Sequence, residues 1–518
     1  MNLGRYVRRT AGHHPDAEAL VCGPVRLTYA ELDDRSDRLA TALRGMGLDR
    51  GDRVATLAAN RAELVVTEVA LYKAGLARVP VNARLGEAEV AHLLRESEAR
   101  VLLTDAGHLD TVRAALPGTN VKTVVCYDGP GELGPGYPQT LADTAPEAVD
   151  VECDERDTAV LHFTSGSTGR LKAAVQTYGN RLALLRKSVM NADTRIGPGE
   201  SQILAGPVTH ASGMPLMGVF FAGGRAIVLP RWDAEEFLAT VQRERATHAF
   251  VVPTMVNTVL ALPHARDYDL SSLRQLIYGA APMSPARIRA AWELFGPVLS
   301  QGYGCGETTS GVLFLSTEDH RRAIEGEDEE LLLSCGRPLA EADVRIVDET
   351  GARVPDGAIG EIAVRGPDVV PGYHNEPALT AESFRDGWFL TGDLARRRPD
   401  GYVFIVDRRK DMIISGGFNI YAVEVEAVLH QHPDVHEAAV VGVPDEQWGE
   451  AVKAVVVLRD GAELTEERLI AFCSERLARM KKPRSVDFVT ALPHNPNGKI
   501  DRRAIREPYW AGAERRVH

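Results

Sequence analysis

Short runs of apolar, β-branched residues recur along the first two thirds of the chain, and most precede a longer stretch of helical periodicity. Six of them are "RVATLAAN" (53–60), "ARVLLTD" (99–105), "VKTVVCYD" (121–128), "RAIVLP" (225–230), "HAFVVP" (248–253) and "QLIYGA" (275–280). Each has the length and composition of a strand. Alternation of this kind predicts α/β units with largely parallel sheets, their loops gathered at the carboxyl ends of the strands.

Towards the C-terminus the pattern changes. "ADVRIVDETGARVPDGAIGEIAVRG" (342–366) has Gly/Asp turns between short alternating strands, and 387–417 continues it through the turn Pro399-Asp400-Gly401. These predict a small β-subdomain. Beyond it, 421–433 and 465–480 read as amphipathic helices, and 435–446 and 451–460 as strands, which makes a separate small α+β unit. The expected organisation is a large N-terminal domain over 1–409 and a small C-terminal domain over 410–518, with the polar run 407–411 at the boundary. The tail "YWAGAERRVH" is expected to fray.

Composition narrows the function. Lys plus Arg total 59 and Asp plus Glu 72, a net charge of −13. That balance argues against a nucleic-acid binder, which needs cations to neutralise phosphates. Six scattered cysteines show neither CxxC nor metal-ligand spacing, so neither a disulfide framework nor a zinc site is expected, and a reducing cytoplasm fits. The first twenty residues carry charge but no apolar core, so no signal peptide is expected. The most hydrophobic piece, "GMPLMGVFFAGG" (213–224), is interrupted by Pro215 and glycines, and reads as buried core rather than a membrane span.

The chemistry concentrates in "TSGSTGRLK", Thr164 to Lys172, which follows the strand-like "TAVLHF" and precedes the helix-like "QTYGNRLALLRKSVM". Glycines let the backbone curl so that its amides point inward, hydroxyls add donors, and the lysine adds a point charge: the ingredients of a polyphosphate site. The run is not a P-loop, because Gly166 and Gly169 are too close and Lys172 is followed by Ala173. "GPGELG" (129–134) imitates a dinucleotide fingerprint, but Pro130 and Pro135 intrude and no helix follows at once. Ser167 lacks the first glycine of a nucleophile elbow, since Ser165 stands there.

In order along the chain come "TSGSTGRLK", "YGAAP" (278–282), "QGYGCGET" (301–308), "WFLTGD" (388–393), "DRRKDMIISGGFN" (407–419) and "PHNPNGK" (493–499). With "LTYAEL" (27–32) and "KAGLARVPVNARL" (73–85), this set resembles the adenylate-forming superfamily, in particular its acyl-CoA synthetases. The resemblance implies that a carboxylic acid is activated by ATP as an acyl-adenylate, which a nucleophile, usually the CoA thiol, then discharges. It also implies that the small C-terminal domain is mobile.

Carried over residue by residue, the resemblance puts Thr164, Ser165, Gly166, Ser167, Thr168, Gly169 and Lys172 around the ATP phosphates. Glu307 becomes the Mg²⁺ ligand. Gly279, Ala280, Ala281, Tyr303, Gly304 and Thr308 surround the nucleotide, and Asp393 and Arg408 hold the ribose. Lys499 becomes the catalytic lysine that bridges acid and ATP, and Lys410 the hinge. His210 gates an acyl pocket shaped by Ala211, Ser212, Gly213, Tyr278 and Gly302. Ser415, Gly416 and Gly417 line the pantetheine channel, and Trp448 stacks on the CoA adenine. One departure stands out: relatives usually carry threonine before the glutamate, and this chain has Gly306.

The expected activity is an AMP-forming acid–CoA ligase working with ATP, Mg²⁺ and CoA on a fatty, aryl or cinnamic acid, with a homodimer expected by analogy. Two alternatives stay open: an adenylating enzyme with another acceptor (a carrier-protein thiol, an amine) or an anion such as nitrite as substrate, and a non-catalytic nucleotide binder. The presence of Glu307, Asp393 and Lys499 disfavours the binder.

Overall fold

The computed structural model describes residues 1–165, 171–416, 418–494 and 500–511. All six apolar runs quoted above contain strands. Three of them join Ala77–Val81 and Thr158–Ser165 in a parallel array. The order of this sheet is Thr123–Cys126, Val101–Thr104, Arg53–Leu57, Ala77–Val81, Thr158–Ser165 and Leu171–Thr177. A larger sheet carries Glu18–Cys22, Arg225–Val228, Ser201–Leu204, His248–Val251, Gln275–Gly279 and Leu299–Gly304 as a continuous parallel block, with antiparallel strands at both edges.

The strands are buried on both faces, which is why they read as near-continuous apolar runs. Helix Ala62–Ala74 is buried along its whole length. "GMPLMGVFFAGG" folds as the short helix Leu216–Phe221, whose Leu216, Met217, Val219 and Phe220 sit in the core.

The glycine-serine run departs from the sequence reading in one respect. The helix does not follow it directly: Leu171–Thr177 is a strand that turns back antiparallel along Thr158–Ser165, pairing Thr164 with Lys172 and His162 with Ala174. The helix Tyr178–Met190 starts only after this hairpin, where the Thr177 hydroxyl accepts from the Asn180 amide and the Asn180 side chain accepts from the Thr177 amide. That reciprocal cap fixes the helix start. "LKAAVQT" does not announce itself as a strand because its small residues carry little period-2 contrast.

Cα packing divides the chain into one unit of Met1–Val344 with Val364–Phe389, and another of Arg345–Ala363 with Leu390–His518. In the second unit, Val435–Asp445 and Gly449–Leu458 form a long antiparallel pair, flanked by Ile413–Ser415 and Ser485–Phe488. Helices Ala422–Leu429 and Glu466–Ser474 contribute Val425, Leu429, Leu469 and Cys473 to its core. All six cysteines are free. Among the described residues no helix is long and apolar enough to cross a membrane.

Candidate active site

The hairpin brings Thr164 and Lys172 side by side at the mouth of the glycine-serine loop, and the turn after Leu299–Gly304 delivers Glu307 to them. The Thr164 hydroxyl donates to Glu307 Oε1 at 3.1 Å. Tyr373 donates to the same oxygen at 2.8 Å and accepts from Lys172 Nζ at 2.6 Å. Lys172 lies 3.8 Å from the carboxylate and 3.9 Å from the centre of the Tyr373 ring. Burial lowers the Lys172 pKa, and the Glu307 charge opposes that shift. Burial and the same carboxylate push the Tyr373 phenol far up, so it stays a donor.

Sequence reasoning missed Tyr373. It lies in "PGYHNE", remote in sequence from both partners, with no motif around it. Its ring is held by Ala174 and Val370, and its amide donates to Thr380 Oγ1.

Glu307 is buried, and its Oε1 accepts from the Thr164 and Tyr373 hydroxyls. Among the described residues no group of three His, Cys, Asp or Glu could hold a metal. A single carboxylate suits Mg²⁺, which is usually held by one or two carboxylates with substrate phosphates and water completing the shell.

Gly306 is enclosed: a Cβ there would lie 2.6 Å from Thr164 Cγ2 and 2.7 Å from His162 Cδ2. Its carbonyl accepts from Gln176 Nε2 at 3.1 Å. The Thr308 hydroxyl does not replace the missing one. It is fully buried, accepts from the Cys305 amide and donates to the carbonyls of Cys305 and Ser310, so it serves its own turn.

His210 stands beside His162, ring centres 5.4 Å apart and edge to face. Its Nδ1 meets Thr209 Oγ1 at 2.9 Å. Burial pushes His162 down to about 4 and His210 down to about 3, and neighbouring positive charge adds to both, so both rings are neutral at pH 7. Ser212 and Gly213 are buried in the same turn, where Ser212 Oγ accepts from the Gly206 amide.

Tyr278 is fully buried, with its hydroxyl on His320 Nε2 at 2.9 Å. Gly279 and Gly302 are register partners, and a Cβ on Gly279 would meet the Gly302 carbonyl at 2.5 Å. Ala280, just beyond that strand, has φ +66°, a strained backbone for a residue with a Cβ. Ala281 follows it, and Tyr303 and Gly304 end the neighbouring strand.

In the second unit, Asp393 and Arg408 face each other in register, with Arg408 Nε 3.2 Å from Asp393 Oδ1. Lys410 lies two residues beyond. Ser415, Gly416 and Trp448 also come together. The Gly416 amide donates to the Trp448 carbonyl, and a Cβ on Gly416 would meet the indole at 2.4 Å. Trp448 keeps 37% of its surface exposed and carries Arg484 over its ring. Gly166, Ser167, Thr168, Gly169, Gly417 and Lys499 lie outside the described residues, as does the side chain of Ser165.

Residues 7–374 match the family model "AMP-binding enzyme", and residues 424–499 match "AMP-binding enzyme C-terminal domain". The chain is 41% identical over 511 residues to a feruloyl-CoA synthase of Amycolatopsis sp, covering 98% of this chain and 99% of that protein. The amide bond synthetase McbA of Marinactinospora thermotolerans superposes with a TM-score of 0.89 at 33% identity, covering 98% and 99%. ATP-bound MatB of Rhodopseudomonas palustris gives a TM-score of 0.89 at 30% identity over the same shares.

Proposed function

The chain belongs to the AMP-binding enzyme family, in the acid–CoA ligase branch of the adenylate-forming superfamily, and we propose that it converts a carboxylic acid to its CoA thioester through an acyl-adenylate. The observation that carries this reading is the cluster of Thr164, Lys172, Tyr373 and Glu307 at the mouth of the glycine-serine loop. An ammonium, a carboxylate and two hydroxyls gathered there suit a triphosphate, with Glu307 as the residue that would hold a hard cation.

In the first half-reaction a carboxylate oxygen attacks the α-phosphorus and pyrophosphate leaves. Lys172 and the loop donors stabilise the charge that develops; Glu307 would hold a Mg²⁺ ion, which would supply further neutralisation of phosphate charge. Lys499 neutralises the two anions as they meet. In the second half the CoA sulfur attacks the acyl carbon, AMP leaves with the bonding pair, and the thiol proton passes to solvent. Rotation about Lys410 exchanges Lys499 for the channel of Ser415 and Gly416, with Trp448 offered to the CoA adenine. Asp393 and Arg408 hold the ribose. Six free thiols support a reducing cytoplasm.

A second reading keeps the adenylate and passes it to an amine. The fold likeness to McbA and the glycine at 306 favour it. Acid-dependent ATP–pyrophosphate exchange without CoA tests the first half, and CoA discharge of the adenylate tests the second. Lys499→Ala should lower the exchange by about 100-fold or more, about 2.7 kcal/mol, and spare CoA transfer from preformed adenylate. Equal loss in both halves would remove Lys499 from the proposed role.

A further inference from the structure

Beneath the phosphate end of the Thr158–Ser165 strand lies a small polar recess. Val160, His162 and Thr164 share one face of that strand, so the recess sits about 7 Å below the Thr164 hydroxyl. Its floor is a row of register partners, Arg78, Val160 and Gln176, on three adjacent strands. Its walls are Arg181, Thr209, His210 and Met214. The free space takes about one or two water-sized groups.

The recess carries an excess of positive charge. Arg78 and Arg181 are each 6% exposed and share one carboxylate, Glu68, which is 2% exposed. Arg181 Nε is 3.0 Å from the neutral Tyr72 hydroxyl. Among the described residues no second carboxylate reaches either guanidinium, and both imidazoles in the recess are neutral. His162 is 9% exposed, lines the recess, and neither ring nitrogen has a hydrogen-bond partner among the described residues. Gln176 spends its amide nitrogen on Gly306, leaving its oxygen as a second unspent group.

An unbalanced buried cation is strongly disfavoured by lost hydration unless an anion meets it. Guanidinium forks match the paired oxygens of a carboxylate or a phosphate, and a recess this small suits the smaller carboxylate. We propose that this recess is a recognition subsite for a second carboxylate carried by the acid substrate, held by Arg78 and Arg181 with His162 donating a further hydrogen bond. The short distance to the phosphate end selects acids whose two carboxylates are a few bonds apart. This rests on the acid-activation reading, with the recess supplying the substrate class.

The experiment compares dicarboxylic acids of increasing length, each with its own monoamide. The monoamide keeps length and shape and removes the second charge. Both are measured by pyrophosphate release with Mg·ATP and by calorimetric binding to the full chain. The expected result is a KM and a binding constant at least tenfold in favour of the diacid. Arg181→Gln and Arg78→Gln should each reduce that ratio at least fivefold, while Glu68→Gln should preserve or raise it. A ratio within twofold in the unmodified protein overturns the proposal without any variant, so misfolding cannot hide the answer. If no acid drives pyrophosphate release but the diacid still binds tenfold tighter, the recess stands and the acid-activation reading falls.

Discussion

Adding one methyl at residue 306 tests how tightly this chain packs around the glycine that precedes Glu307. The new Cβ would lie 2.6 Å from Thr164 Cγ2 and 2.7 Å from His162 Cδ2. Carbon atoms pack comfortably at about 3.5–4.0 Å, so each neighbour must retreat by about 1 Å. Each would have to give up a contact to do so. Thr164 is tied to Glu307 through its hydroxyl, and the His162 ring lies edge to face against His210.

Overpacking of this kind costs about 1–3 kcal/mol, which is a fall of about 1–4 °C in the melting temperature of a unit of several hundred residues. Gly306→Thr should be worse than Gly306→Ala, because it adds two more heavy atoms to the same enclosed space. Thermal unfolding of Gly306→Ala, His162→Ala and the double variant forms the assay. The methyl should cost at least about 1 kcal/mol less once the imidazole is gone, outside the additivity limit of about 0.5 kcal/mol for uncoupled sites. Gly306→Ala melting within 1 °C of the parent, or a strictly additive cycle, would refute the idea that His162 and Gly306 share one volume.

The remaining predictions concern the hydrogen bonds and buried rings of the same unit. Tyr373→Phe removes a donor to the Glu307 carboxylate, a bond worth about 1.5–3 kcal/mol. It should lower kcat/KM for ATP about tenfold or more, and a change within twofold in pyrophosphate release would remove Tyr373 from the site. Burial holds His162, His320 and His210 neutral, with pKa near 4, 4 and 3 against an ordinary 6.5. The unfolded chain therefore binds more protons below pH 6.5, so stability is full above that value and falls on acidification, levelling off below the folded values. At pH 5 each ring should cost about 2 kcal/mol, and His162→Gln should flatten the pH profile of melting. An unchanged profile would contradict a buried neutral imidazole.

Six of the strands were legible because parallel strands buried on both faces advertise themselves as apolar runs, whereas their order within the sheets was not. The hairpin strand Leu171–Thr177 was not, because small residues blur its alternation and the glycine-serine run drew the helix too early. The family resemblance brought Thr164, Lys172 and Glu307 forward as a set, and the fold puts them side by side. Tyr373 escaped because its role depends on a long-range bridge to Ala174 that no local pattern announces. Arg78, Arg181 and Glu68 escaped for a different reason. Each lies in an element whose other residues are apolar or amphipathic, and a charge inside such a pattern declares a buried network only once the strands are registered.

The most direct test of the central claim is product stoichiometry with Mg·ATP, CoA and a panel of mono- and dicarboxylic acids. The account predicts one AMP, one pyrophosphate and one acyl-CoA for each acid consumed, with sustained turnover only when CoA is present. Release of ADP and phosphate, or sustained turnover that CoA does not alter, would contradict it.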